Sequence, residues 1–412
     1  MLFARLQSAI AADAAIRRRR RLQPAGGPGD KIFPPTYPGE GARNPPPRHV
    51  FEIRREPTGG GVACVLIDSV QSQANRLEES LREAIAEGVR IPHVSVDFGG
   101  SGIDFPPITS LDAPHRLFDA ILRDSAHEGV PFMQSPSGIA IATATSADAS
   151  AILRLSPTAL IFGVWNSTGE GGGLGAKFAR VLTSEIVGFN VPVEEITQRG
   201  ETEIRTSARR TGSRIDPLGI LRKVDVYKTK SGWDTDQQRL ADRSKNDKPK
   251  KVRPSEINHG NIAPSVQALG VTMEYAEHVV VLSLAGLRRA RFGRAEWNAS
   301  ARSYLAALAL LAIVEQDAMG YALRSRCDLV PDGHAPFEIV RSDGSAESFD
   351  LDRDTARALY TEAKDAAAAA GIEFVPEPLV LKPQQKLVDI IKRSRELALQ
   401  GEGGEESIDA DA

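Results

Sequence analysis

Apolar residues at Val70, Ala74, Leu77, Leu81 and Ile85 recur at helical spacing, which predicts a helix that Gly88 stops. Two short apolar runs just before it, Val50–Arg55 and Val62–Ile67, predict a pair of strands. A second helix is predicted to open at Thr109, with Asp112 in a capping-box position and Pro114 in the first turn. Leu117, Phe118, Ile121 and Leu122 form its apolar face. The run Ala159–Trp165 predicts a buried strand, and Phe178, Val181, Leu182 and Ile186 predict a helix behind a glycine-rich loop. Further along come a strand at Val279–Leu284 and a strongly apolar helix over Asn298–Asp317. A hairpin over 337–350 turns at Asp343-Gly344, and two helices over 354–370 and 383–400 end the pattern. Strands and helices alternate irregularly, which predicts an α+β fold over a regular βαβ winding.

The same pattern divides the chain. Residues 1–48 read as an N-terminal extension: a short helix, the Arg17–Arg21 run, then Pro/Gly-rich chain containing KIFPPTYPG (31–39). Residues 49–330 read as a core with two insertions, one over 90–156 that is irregular at 90–108 and 126–156, and a basic, polar one over 199–260. Within the second only Val224–Thr229 is strand-like, so a long hairpin is expected there. Residues 331–400 carry the C-terminal hairpin and helices, and 401–412 form an acidic tail expected to be disordered.

Charge sharpens this division. The chain has 51 Lys+Arg against 54 Asp+Glu, a formal net charge of −3 that advertises no polyanion partner. Residues 199–253, however, hold 16 basic and 8 acidic side chains, a local +8. Such a segment suits a phosphate backbone, and a solvated loop would show the same excess. Arg288, Arg289, Arg291 and Arg294 form a second, denser cluster. Two cysteines, Cys64 and Cys327, exclude a disulfide framework and a cysteine-rich zinc site. The longest apolar run, Tyr304–Val314, is shorter than the roughly 20 residues that span a bilayer, so no membrane partner is expected. The arginine run follows the apolar N-terminus, the reverse of a signal peptide, and a cytoplasmic protein is the default expectation.

Two segments could carry chemistry. In WNSTGEGGGLGAKF (165–178) a glycine-rich loop sits where backbone amides could cradle phosphate. It is not a P-loop, because Ala176 precedes Lys177 and Phe178 follows it. Gly171, Gly173 and Ala176 fit a looser dinucleotide spacing, but no second βαβ unit follows. A nucleotide-dependent enzyme using this loop therefore stays open beside a loop whose Lys177 and Arg180 meet some other phosphate. In VLIDSVQSQANRLEES (65–80) a strand runs into a helix whose first turns carry Ser69, Gln71, Ser72, Gln73, Asn75 and Arg76. These are donors without a nucleophile, although Ser69 or Ser72 alone would explain a cap. Asp68 could serve a metal-dependent RNA endonuclease, but no second carboxylate sits beside it, and the seven histidines show no metal-ligand spacing. No cofactor and no metal are expected.

VLIDSVQSQANRLEES (65–80), ITSLDAPHRLFDAILRDS (108–125), PTALIFGVWNSTG (157–169), GGLGAKFARVLTSEIVG (172–188) and TGSRIDPLGI (211–220) occur in that order. With KIFPPTYPG they resemble the backbone subunit of the type I-G (formerly I-U) CRISPR surveillance complex, or Cascade, a RAMP-superfamily protein. The resemblance spans roughly Lys31 to Leu284. It implies an RRM-like (ferredoxin-like) core with a thumb-like hairpin in 199–260, polymerising along a crRNA whose phosphates it grips. It also implies further partners: other copies of the chain, other subunits of the effector complex, the target DNA strand paired to the guide, and a helicase-nuclease that does the cutting. No catalytic role passes to Asp68. RNA-binding positions expected on this reading are Ser69, Gln71, Ser72, Gln73, Asn75, Arg76, Gly171, Gly172, Gly173, Lys177, Arg180, Arg209, Arg210 and Arg214. The low aromatic content, 6%, argues for backbone grip over base stacking.

Overall fold

The five consecutive arginines 17–21, read from sequence as part of an N-terminal extension, form the interior of strand β1 (Ala15–Pro24). A computed structural model describes residues 2–39, 47–55, 59–166, 176–198, 201–230, 232–243, 247–375 and 378–399. Ile16, Arg18 and Leu22 of β1 are buried on one side, and Arg17, Arg19 and Arg21 alternate with them on the other. A run of like charges survives in a strand because each guanidinium finds a partner. Arg18 and Arg20 meet Asp317, Arg17 meets Glu338 at 2.6 Å, and Arg19 meets Glu277 at 2.9 Å. Arg21 lies 4.1 Å from the centre of the Tyr275 ring.

The chain divides into two units. The first comprises Met1–Pro34, Glu52–Val191 and Met273–Val388 and is α+β. Its nine-stranded sheet adds β2 (Phe51–Arg55), β3 (Gly61–Asp68), β4 (Leu182–Phe189) and β5 (Tyr275–Ser283) to β1. The later strands are β6 (Tyr321–Ala322), β7 (Asp328–Pro331), β8 (Phe337–Val340) and β9 (Ala346–Phe349). The order is β6-β7-β1-β5-β4-β3-β2, with β8 pairing both β1 and β9. The central pairs are antiparallel: β1 meets β5 from Ala15↔Ser283 to Leu22↔Ala276, and β4 meets β5 from Leu182↔Leu282 to Phe189↔Tyr275. Helices α1 (Leu2–Ala12), α2 (Val70–Ala86), α3 (Trp297–Met319) and α4 (Arg353–Ala369) form the second layer. The sidedness follows from β3, β4 and β5, whose inward residues Ile67, Ser184, Ile186, His278 and Val280 are buried. By length and composition α3 could cross a membrane, but 72% of its apolar window is buried, with α1, α2 and α4 packed around it.

Three segments depart from the periodicity reading. The helix expected over 178–186 is β4, in which Leu182, Ser184, Ile186 and Gly188 alternate inward. Gly188 is required there, since a Cβ would lie 2.9 Å from Val65 and 2.8 Å from Met273. The strand expected at Ala159–Trp165 is a helix, Thr158–Phe162, buried on every side and ended by Gly163 at φ +83°. A short continuous apolar run fits either element. At Thr109 the expected helix is a turn, with Thr109 N and Oγ1 both donating to Asp112 at 2.8 and 2.6 Å. Only Arg116–Phe118 and Ala120–Arg123 are helical, because Arg116 takes φ +51° to reach Glu78 with two 2.7 Å bonds. The 90–156 region also holds regular structure. Its strands Val94–Val96, Ile108–Thr109, Ser125–His127 and Val130–Pro131 join Leu379–Pro383 in a small sheet.

The second unit comprises Pro35–Phe51, Pro192–Thr272 and Asp389–Ala412. Between β4 and β5 in the chain it builds a hairpin (Val193–Gln198 with Glu201–Thr206) and a ribbon (Arg210–Arg214 with Ile262–Gln267). A three-stranded sheet and helix Gln237–Arg243 follow. At the root, Thr206 Oγ1 donates to Gly270 O at 2.7 Å, and Gly270 N donates to His49 Nε2 at 2.8 Å. The acidic tail 401–412 lies outside the described residues.

Candidate nucleic-acid interface

The start of α2 is shaped by a carboxylate behind it. Ser69 caps the helix, accepting from Ser72 N at 3.2 Å. Asp68, fully buried at the end of β3, accepts from Ser72 Oγ (2.8 Å), Gln73 Nε2 (2.6 Å) and Arg76 Nε (3.0 Å). Arg76 also donates to Leu323 O at 2.6 Å. Three of the expected RNA donors therefore face inward, while Gln71 and Asn75 are exposed on the same helix.

From Gln73 a chain of polar groups crosses beneath the sheet. Ser184 Oγ and Gln316 Nε2 donate to Gln73 Oε1 at 2.8 and 3.1 Å. His278 lies between Ser184 Oγ (2.7 Å) and the Tyr321 hydroxyl (3.1 Å), and that hydroxyl donates to Asp317 at 2.7 Å. Asp317 in turn holds Arg18 and Arg20 of β1. Complete burial, with Arg18 beside it, pushes the His278 pKa down to about 3, so the ring is neutral. Burial, with Asp317 adding to it, drives the Tyr321 hydroxyl far above its ordinary value. Asp68 and Asp317 are thus two ends of one buried network. Among the described residues no group of three or more His, Cys, Asp or Glu could hold a metal ion.

The glycine-rich loop divides. Gly171, Gly172 and Gly173 lie outside the described residues. Lys177 belongs to a two-residue strand paired with Val164–Trp165, and its ammonium lies 4.9 Å from the Trp165 ring centre. Arg180 donates to Phe162 O and Val70 O, both at 3.1 Å, tying the entry of α2 to the end of helix Thr158–Phe162. Burial and the nearby Arg116 lower its guanidinium pKa. Lys177 and Arg180 do not share a helix face, because the segment is extended.

In the second unit, Arg209 donates to the carbonyls of Thr206, Ser207 and Ala208 at 2.8–3.1 Å and pairs with Glu194 at 3.2 Å. Arg210 and Arg214 lie on the ribbon, opposite Gln267 and Ile262, and Arg214 is 4.0 Å from Asp216. Burial pulls the Asp216 carboxyl upward, but the amides of Gly260, Leu218 and Ile220 outweigh it and hold the pKa low. This anchor fixes a loop that presents Ile215, Leu218 and Leu221 to solvent, at 87%, 71% and 71% exposure.

The outer sheet face holds a feature that residue counting missed. Phe189 of β4 and Tyr275 of β5 stack with centroids 5.3 Å apart and planes at 7°, with Arg21 over Tyr275 at 4.1 Å and Arg54 over Phe189 at 6.0 Å. The two rings are distant in sequence, so no aromatic-rich run announces them. The signal available was one aromatic at the end of each of two central strands, beside an arginine-rich one.

A protein-family model described as CRISPR-associated protein GSU0053 matches residues 16–193. The match indicates a CRISPR-associated protein. No curated protein matches the chain. The matched segment runs from β1 through β4 and includes Asp68, Arg76, Lys177 and Arg180. The whole of the basic insertion and of the Arg288–Arg302 region lies beyond it.

Proposed function

We propose that this CRISPR-associated protein is a non-catalytic, crRNA-binding backbone subunit of a type I effector complex. Copies of the chain polymerise along the guide in the cytoplasm and present it for pairing with a strand of invading DNA. A separate helicase-nuclease recruited to the complex does the cutting. The observation that carries this reading is the sheet order β7-β1-β5-β4 in the first unit, with α2 preceding β4 in the chain, after the added strands β2 and β3, and α3 lying between β5 and β7. Numbered by appearance, those four strands run 4-1-3-2, the antiparallel arrangement of an RRM-like, ferredoxin-like core. The basic insertion falls between its second and third strands, where a hairpin loop can grow without disturbing the sheet.

Further support comes from the insertion. The ribbon Arg210–Arg214/Ile262–Gln267 is exposed on both faces apart from half-buried Arg214, and an isolated two-stranded ribbon is marginal in water. With Ile215, Leu218 and Leu221 displayed beside it, the thumb-like role expected of 199–260 gives this surface an occupant. Asp68 is unsuited to hydrolysis, since it is buried and takes three side-chain donors.

Purification of the full chain with its native CRISPR array supplies the test. RNA of discrete length that co-purifies and resists added nuclease is the expected result. Protein free of RNA but carrying a bound nucleotide would overturn the reading.

A further inference from the structure

Five arginines gather where the chain passes from β5 to α3: Arg288, Arg289, Arg291, Arg294 and Arg302. The loop that carries them is firmly built. Phe292 is fully buried, and its amide donates to Asn298 Oδ1 at 3.0 Å. Arg291 N donates to Ser146 O at 3.0 Å, and Ala149 N donates back to Arg291 O at 2.7 Å. Gly293 takes φ +75°, which turns the chain sharply after the buried ring. With Phe292 pinned inward, Arg291 and Arg294 flank a concavity of about 540 Å³ whose wall also contains Arg302 and Asn298.

The charge there is not ion-paired. Among the described residues no carboxylate lies within ion-pair distance of any of the five arginines. Asp148, beside Gly293, accepts from Ser150 N at 3.0 Å. Arg288 donates to Ile10 O and Asp13 O, and Arg302 to Arg288 O and Ala290 O, at 2.8–3.0 Å, so both are held in place by backbone. Arg294 lies 5.0 Å from the Trp297 ring centre. Burial first, and then the guanidiniums of Arg288 and Arg291, lower the Arg302 pKa. Positive charges packed without counterions repel one another, and a bound anion relieves that repulsion.

We propose that this concavity binds the phosphodiesters of a single-stranded nucleic-acid backbone, with Arg291 and Arg294 as donors and Arg302 as the fixed charge behind them. Guanidinium forks match phosphate oxygens, and pairings of this kind grip a strand without reading its sequence. The nucleic-acid part of the assignment rests on the proposed function; the anion part stands on the geometry alone.

The test uses the full chain freed of nucleic acid, labelled polyuridylate, and inorganic phosphate as the small-anion probe. Arg291→Gln with Arg294→Gln should weaken polyuridylate binding about tenfold, the effect of removing one charge-assisted hydrogen bond or more. The log–log salt slope should become shallower by about 0.7 for each phosphate that is no longer neutralised. Arg291→Lys with Arg294→Lys should restore the slope but only part of the affinity. Ala147→Glu, which sets a carboxylate in the same wall, should weaken binding to the same degree and guards against a folding artefact in the glutamine variant. Unchanged affinity and slope in the glutamine variant and in Ala147→Glu, with the native chain binding well, would overturn this site and leave the proposed function standing. A native chain that binds no RNA would overturn the proposed function and the nucleic-acid part of this site together. Saturable stabilisation by inorganic phosphate at constant ionic strength, abolished in the glutamine variant while RNA binding persists, would assign the site to a free anion and overturn the nucleic-acid part.

Discussion

Two arginine clusters in this protein look alike in sequence and behave differently in the fold. Arg17–Arg21 lies in the centre of a sheet, with Glu338, Asp317, Glu277 and a tyrosine ring as partners. Arg288–Arg302 lies on a loop and a helix start, without a carboxylate partner among the described residues, around an open concavity. Arginine density therefore does not locate a phosphate site. What separates the clusters is whether folding brings a counter-charge to them, and every carboxylate partner of the first arrives from more than two hundred residues away in the chain.

The sharpest way to break the comparison is to remove a partner from the paired cluster. Asp317→Ala would leave Arg18, 1% exposed, and Arg20 without their shared carboxylate. Stability should fall by about 3–5 kcal/mol in urea unfolding, the cost of an uncompensated buried charge. A decrease under about 1 kcal/mol would mean that the first cluster is not held by its carboxylates. Next in size is Arg76→Ala, which takes the cation from fully buried Asp68 and should cost about 2–3 kcal/mol. Adding Asp68→Asn should recover part of it, because the amide oxygen can accept from Gln73 Nε2 and the amide nitrogen can donate to the Ser72 hydroxyl, with no buried charge left. Arg76→Ala that folds at full stability yet no longer binds RNA would return Arg76 to the interface where sequence placed it.

Arg76 shows why part of the site was legible and part was not. The strand–helix junction at 65–80, the cap at Ser69, and the helices over 297–319 and 353–369 follow from periodicity and capping chemistry, which are local. The α+β class was legible for the same reason. The direction of a side chain was not. Ser72, Gln73 and Arg76 read as donors for a ligand, but the acceptor is Asp68, their own neighbour, turned under the sheet by the β3–α2 junction. Arg180 likewise binds two carbonyls that only the tertiary fold brings near. The region 178–188 misleads because its apolar residues satisfy a helical spacing until the antiparallel pairing with β5 imposes period two.

The pH response of the buried network is smaller but separable. Folded His278 stays neutral to about pH 3, whereas the unfolded ring takes a proton below about 6.5. The unfolded state thus binds more protons between those values, so this contribution is complete above pH 6.5 and is lost as pH falls toward 3. The decrease is about 1.4 kcal/mol per pH unit, or about 2 kcal/mol between pH 6.5 and pH 5. His278→Gln should flatten the stability profile in that window by this amount, relative to the native chain. A variant whose profile keeps the native slope would show that the folded ring ionises.

The smallest effect belongs to the unpaired cluster, and its sign is the informative part. Arg291 is exposed, no carboxylate among the described residues pairs with it, and the loop is pinned by Phe292 and Asn298, not by the arginine. Arg291→Gln should therefore change stability by no more than about 0.5 kcal/mol. At low salt the change should be stabilising, because one of several crowded positive charges has gone, and it should vanish as salt screens the remainder. With polyuridylate bound the sign should reverse, since the native chain then holds a phosphate that the variant cannot. A variant destabilised equally with and without RNA, at every salt concentration, would place Arg291 among the structural arginines beside Arg18 and remove the distinction between the two clusters.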